Sequence, residues 1–189
     1  MTAPLPLLDL FTRAHQEARR VVDAADPSDL VRPTPCPEWD LRGLINHMTV
    51  GNFFAGALIS DAPPPDRSAD LLGPDHRRAY ADSVDVVVAA FRAPAALDRI
   101  VQVPAGTMPG AGFAGIRTTE ALVHGWDVAR SLGRPADLDE ELCEQALAMT
   151  RRFMRDAMRG PGRPFAEEQQ APPGAPAADR LAAWLGRSV

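Results

Sequence analysis

Apolar residues recur at three- and four-residue spacing along almost the whole chain, and that period belongs to helices. Leu7, Leu8, Leu10, Phe11, Ala14, Ala18, Val21 and Val22 mark a first amphipathic helix near 5–25, which Asp26-Pro27-Ser28 ends. Pro33, Pro35 and Pro37 then occupy alternate positions, so the stretch from Val31 to Trp39 is predicted to be extended. Asp40 is a natural N-cap for a second helix near 41–60. Ala62-Pro63-Pro64-Pro65 breaks the pattern cleanly. Tyr80, Val84, Val87, Val88 and Phe91 define a third helix near 76–93.

Ile100-Val101-Gln102-Val103 is short and β-branched, and residues 104–112 are rich in Gly and Pro. We expect a long loop there, with room for an extended piece, leading into a helix near 113–132. A fifth helix near 139–159 carries Leu142, Ala146, Leu147, Met149, Phe153 and Met154 as its stripe. Residues 160–177 form a proline-rich loop, and Asp179 to Leu185 a short terminal helix packing through Leu181, Trp184 and Leu185. Four long helices and little strand predict an all-α four-helix bundle, with one additional helix and a short C-terminal one, as a single 1–189 domain.

A chain of 189 residues can bury a core of that kind. Its formal net charge is −5, Lys is absent, and Arg is scattered rather than clustered, so nucleic-acid binding has no electrostatic basis. No apolar run approaches the roughly 20 residues that cross a bilayer. No basic region precedes an apolar stretch at the N-terminus, so a cytoplasmic location is expected. Cys36 and Cys143 lie far apart and in no metal-ligand spacing. Cys36 stands between Pro35 and Pro37 and is expected near the surface.

The candidate chemistry lies in Glu120 and His124. Four residues apart on a helix, their side chains project from one face roughly 6 Å apart along the axis. A carboxylate and an imidazole so placed can converge on one metal ion. A third ligand must come from elsewhere, and the chain has four histidines, His15, His47, His76 and His124. Only His47 sits within a strongly apolar helical pattern, Leu41 to Met48, where it points into or along the bundle. His15 is expected at the polar edge of the first helix, and His76 among solvated charges. Two histidines and a carboxylate would hold a divalent metal and leave coordination positions open. Asp127, one turn beyond His124, is a candidate to orient a ligand from behind. On spacing alone a helical Glu–His pair is more often a surface pair than a metal site.

Two stretches add weight to the site. Pro33-Thr34-Pro35-Cys36-Pro37-Glu38-Trp39-Asp40-Leu41-Arg42-Gly43-Leu44-Ile45-Asn46-His47 and Leu122-Val123-His124-Gly125-Trp126-Asp127-Val128-Ala129-Arg130 resemble two signature stretches of one family. It is the actinobacterial group related to the metal-binding domain of mycothiol-dependent maleylpyruvate isomerase, within the DinB/YfiT-like superfamily. The resemblance extends over most of the chain. It implies a DinB-like four-helix bundle holding a divalent metal, zinc first and nickel second. By position His47 matches the histidine of the second helix, and Glu120 and His124 match the acid and histidine of the later one. The resemblance further implies a thiol cofactor such as mycothiol or bacillithiol in isomerisation or S-transfer. The isomerase carries an additional C-terminal α/β domain, whereas here the bundle is expected to be followed by a proline-rich loop and a short helix, so maleylpyruvate isomerase activity itself is not expected.

The leading expectation is therefore a metal-dependent thiol S-transferase or isomerase acting on a small molecule, with a low-molecular-weight thiol as partner. A metal-dependent hydrolase and a non-catalytic metal- or ligand-binding module are the alternatives. A homodimer is compatible with each.

Overall fold

The computed structural model of the protein describes residues 5–103, 106–154, 159–160 and 165–189. Helix α1 (Leu7–Val22) turns Leu10, Phe11, Ala14, Ala18, Val21 and Val22 inward, as its period requires. Helix α2 spans Leu41–Ile59 and α3 His76–Arg92. Each of these two starts at an aspartate: Asp40 accepts the Gly43 N–H at 2.8 Å and Asp75 accepts that of Arg78 at 3.0 Å. Such caps satisfy amides that the helix leaves unpaired, and contribute typically about 1 kcal/mol each. Helix α4 (Gly110–Ser131) packs along α1, α2 along α3, and the four make the bundle. Helix α5 (Glu140–Phe153) and helix α6 (Ala177–Trp184) pack on one another and on α4.

Close approach of α1 and α4 depends on small side chains. Ala14 and Ala18 are fully buried, and a Cβ on Gly125 would already stand 3.5 Å from the Ala18 backbone. One apolar cluster joins Leu41, Leu44, Ile45, Leu122, Trp126, Leu142 and Leu181. A second collects Phe11, Ile59, Phe91 and Phe113 at the other end, and Val88 packs against both. Among the described residues no helix is long and apolar enough to cross a membrane.

The architecture is mostly helical rather than strictly all-α. Ile100–Val103 and Gly106–Pro109 pair as antiparallel strands β1 and β2, with Val101 opposite Met108 and Gln102 opposite Thr107. Strand β1 alternates in burial: Val101 and Val103 face the Phe91–Phe113 cluster, and Ile100 and Gln102 face out. A four-residue run with three β-branched residues is too short to show a helical period, and here it pairs with β2 over one end of the bundle. Helix α4 then begins directly at Gly110, whose missing side chain lets the Ala96 carbonyl oxygen within 2.1 Å of where a Cβ would stand.

Helix α5 stops at Phe153, and Met154 is already extended (φ −71°, ψ 130°). The expectation of helix over 155–158 lies outside the described residues, as do 161–164 of the proline-rich loop. The proline stretch before α2 is a closed loop rather than a simple extended strand. Pro33 bridges Asp40, and Thr34 Oγ1 accepts the Cys36 N–H at 3.1 Å. That turn sends Cys36 inward, so the cysteine expected near the surface is buried. His15 and His76, expected at polar positions, are buried as well. His15 Nδ1 lies 2.8 Å from the Phe11 carbonyl oxygen, and His76 Nε2 lies 3.2 Å from that of Ala25.

Candidate functional site

Helix α2 supplies His47 and helix α4 supplies Glu120 and His124. The two imidazoles face each other edge to face, with ring centroids 5.2 Å apart and planes at 83°. All three side chains line one cavity of about 550 Å³. Its walls include Cys36 and Trp39 from the proline loop, Val123 from α4, Phe153 at the end of α5 with Met154 just beyond it, and Leu185 and Arg187 from the segment after α6. His47 and Glu120 also border a second cavity of about 480 Å³, lined by Phe54, Val103, Phe113, Arg67 and Arg117. The two residues thus stand in the partition between two chambers. A larger groove of about 1450 Å³ lies elsewhere, between Glu17, Arg130 and Pro176. Within its lining Arg20 pairs with Glu17, and it brings no histidine or thiol together.

Burial pushes the His47 imidazole down to about 4, with His124 as a further cause. At neutral pH it is therefore uncharged and keeps a lone pair. Neither of its ring nitrogens has a hydrogen-bond partner among the described residues, and Trp39 stacks on its face. Burial alone would raise the Glu120 carboxyl. Arg117, His124 and His47 outweigh that and hold it below the usual range. One Glu120 oxygen pairs with the Arg117 guanidinium, and the other makes no hydrogen bond among the described residues. Arg117 is in turn fixed by Asn52, whose Oδ1 accepts its Nη2–H at 2.9 Å.

Behind His124 lies Asp127, which is fully buried. Burial would raise this carboxyl too, but His124 and Arg187 hold it below its usual range and so ionised. An ionised carboxylate only accepts, so His124 Nδ1, at 3.0 Å, donates to Asp127 Oδ2. In the neutral imidazole this leaves Nε2 as the nitrogen with the free lone pair. Arg187 grips the same carboxylate with two donors, Nε to Oδ1 at 3.1 Å and Nη2 to Oδ2 at 2.9 Å. Cys36 Sγ lies 3.4 Å from Asp127 Oδ2.

Two imidazoles and a carboxylate with lone pairs on a partly apolar cavity suit a borderline divalent metal such as zinc. On that chemistry His47, Glu120 and His124 fit the group. They share the cavity without being drawn into a tight cluster. The compact set of potential ligand atoms, all within 4.8 Å of one another, is Cys36, His124 and Asp127. That set has the donors of a metal site, but Arg187 already supplies its positive charge. Burial also pushes the Cys36 thiol up to about 12, so it stays protonated. It is built as a carboxylate hub that orients a histidine.

Four residues of this site escaped the reading of the sequence. Arg117 stands three residues before Glu120, a spacing at which helical side chains pair, and that signal was available. Trp39 and Cys36 lie in a loop whose turn no periodicity reports. Arg187 lies 60 residues from Asp127, and nothing local links them.

Comparison with known proteins gives a consistent set. The family of the mycothiol maleylpyruvate isomerase N-terminal domain matches residues 11–129. Two Mycobacterium tuberculosis proteins, Uncharacterized protein MT0763 (strain CDC 1551 / Oshkosh) and Uncharacterized protein Rv0738 (strain ATCC 25618 / H37Rv), are each 38% identical over 180 residues. The alignments cover 93% of this chain and 97% of each relative. Among solved structures, the mycothiol-dependent maleylpyruvate isomerase superposes with a TM-score of 0.61 at 20% identity, over 76% of this chain and 70% of that one. A histidine-to-alanine mutant of the isomerase gives 0.60 at 18% identity, with the same coverage. At such identities the superposition speaks for the fold alone.

Proposed function

Since the chain belongs to the mycothiol maleylpyruvate isomerase N-terminal domain family, we propose that it is a divalent-metal protein acting on small molecules with a low-molecular-weight thiol. In this reading His47, Glu120 and His124 hold the metal, zinc first and nickel second, and the reaction is an isomerisation or S-transfer. The cytoplasm, where such thiols are kept reduced, is its setting. The observation that supports it best is the meeting of two imidazoles and a glutamate from two helices on one cavity.

The chain's own residues divide the work. His47 is kept neutral by burial and braced against the Trp39 indole. Glu120 is kept ionised by Arg117, which leaves one oxygen for a second partner. His124 is held by Asp127 so that Nε2 is its free nitrogen. Phe153, Met154, Val123 and Leu185 line the cavity with apolar surface that displaces water from a reacting thiol. When bound, the metal supplies Lewis-acid chemistry, easing loss of a proton from a thiol or polarising a carbonyl oxygen. Asp127 acts on His124 rather than on substrate, and is a positioning residue in this scheme.

Elemental analysis of protein purified without a metal-affinity tag tests the metal, and titration of the loaded protein with mycothiol tests the thiol. Near-stoichiometric zinc or nickel, lost in His124→Ala with helicity kept, is the expected result. Metal without thiol binding would sink the transferase reading and leave the hydrolase or the non-catalytic module. Absence of metal from wild type would sink the whole proposal.

A further inference from the structure

The segment after α6 is built to reach the site. Gly186 takes φ +92°, donates to the Ala183 carbonyl at 3.0 Å, and is followed by the Arg187 N–H bonding back to Ala182 at 2.9 Å. This pair of bonds is the Schellman ending of a helix, in which a left-handed residue closes the last turn and reverses the chain. A side chain at 186 would fail twice: the conformation is strained for any L residue, and a Cβ would stand 2.6 Å from that of Ala166. The stop signal therefore fixes the direction in which Arg187 leaves the helix. That direction leads to Asp127.

Four bonds converge on this buried carboxylate. Arg187 Nε and Nη2 form a fork onto both oxygens, and His124 Nδ1 and Cys36 Sγ share Oδ2. Arg187 Nη2 also lies 3.4 Å from Cys36 Sγ, which ties the proline loop to the same point. A planar guanidinium gripping a carboxylate with two parallel bonds fixes its plane, which a lysine ammonium does not. Fixing the plane of Asp127 fixes where its acceptor lobe meets His124, and with it the tautomer and tilt of the imidazole.

We propose that Arg187 is a positioning residue of the metal site: through Asp127 it locks His124 as the Nδ1–H tautomer, with Nε2 turned toward the cavity shared with His47 and Glu120. The proposal rests on the metal reading for its purpose, but the tautomer lock stands or falls by itself.

The test uses the full chain without metal, as wild type, Arg187→Lys, Arg187→Gln and Arg187→Ala. Nitrogen-15 correlation spectra of the histidine rings report which nitrogen of His124 carries the proton. Wild type is expected to show the Nδ1–H form alone, Arg187→Ala a mixture, and Arg187→Lys an intermediate state, since it keeps the charge and loses the fork. Zinc affinity, read by competition with a chelator, should fall about 10–100-fold in Arg187→Ala, the range for losing a residue that orients a ligand. Circular dichroism identifies any variant that has lost its fold. Should Arg187→Ala be one, Arg187→Lys and Arg187→Gln carry the same measurements. An unchanged His124 tautomer and unchanged zinc affinity in every folded variant would overturn the proposal. A tautomer shift in a protein that binds no zinc would uphold the lock and refute the metal reading instead.

Discussion

The Trp39 indole stacks on the His47 imidazole, with ring centroids 4.3 Å apart and planes at 24°. An aromatic lid of this kind holds a histidine ring in one orientation and places a fluorophore against the candidate metal site. Zinc titration is expected to change the tryptophan emission saturably, and Trp39→Phe to abolish that change while Trp126 and Trp184 still emit. A response that survives in Trp39→Phe would place the bound metal away from His47.

Stability should depend on pH through a histidine outside the site. Burial pushes His15 from 6.5 down to about 4, against the pull of the Phe11 carbonyl and with the help of Arg117. In the unfolded chain it takes up a proton near its ordinary value. Between about pH 6.5 and 4 the unfolded state thus binds more protons at this residue, so the stability that His15 contributes falls as pH falls, and its share of the slope ends near 4. The gap corresponds to about 3 kcal/mol. His47, also held near 4, acts in the same window in metal-free protein. His15→Leu should flatten the slope without removing it, as read by chemical denaturation at pH 7 and 4.5. A slope equal to that of wild type would contradict this assignment.

Gly51 makes room for Arg117. A Cβ there would stand 2.8 Å from both terminal guanidinium nitrogens, so Gly51→Ala must push the side chain off Asn52 and Glu120. Despite the better helix propensity of alanine, we expect a net loss of about 1–3 kcal/mol from overpacking. Urea denaturation measures it. Zinc affinity should fall as well, because Glu120 loses its anchor. Gly112→Ala, at a helix position with open surroundings, is the control and should be neutral or stabilising.

Both cysteines should be silent in the native state. Burial pushes Cys36 and Cys143 up to about 12 each, far above the thiolate range needed for reaction. At pH 8 a disulfide reagent is expected to label neither until denaturant is added, and then to label both. Rapid labelling of Cys36 in folded protein would show that the proline loop opens readily.

Local signals in the sequence were enough for the long helices. Asp40 as N-cap and the 3.6-residue stripes of α1 and α3 place α2 and α3 within a residue of where they lie and α1 within three. His47, Glu120 and His124 could be chosen because helical spacing and an apolar context are themselves local. The strand pair of 100–103 with 106–109 was harder to read, since three β-branched residues in a run of four, beside Gly and Pro, fit a loop as well as a strand. The same limit hid the Asp127–Arg187 pair, where the two residues lie 60 positions apart and meet only through the packing of α6 on α4. Burial of His15, His76 and Cys36 also depends on tertiary neighbours, whereas the polar sequence neighbours of the two histidines and the prolines flanking Cys36 point to the surface.

Helix α6 has only eight residues, and a helix that short at the edge of a fold would ordinarily fray at little cost. Here fraying would strip Arg187 from Asp127 and leave an ionised carboxylate sealed in the interior, a penalty of several kcal/mol. It would also break the 2.6 Å bond from the Trp126 indole to Asp179. Partial opening at α6 therefore carries a cost of its own, and the amide protons of α6 should exchange with solvent more slowly than those of an ordinary eight-residue terminal helix. The proline loop, through Cys36, and the C-terminal segment, through Arg187, are thus tied together at one aspartate of α4.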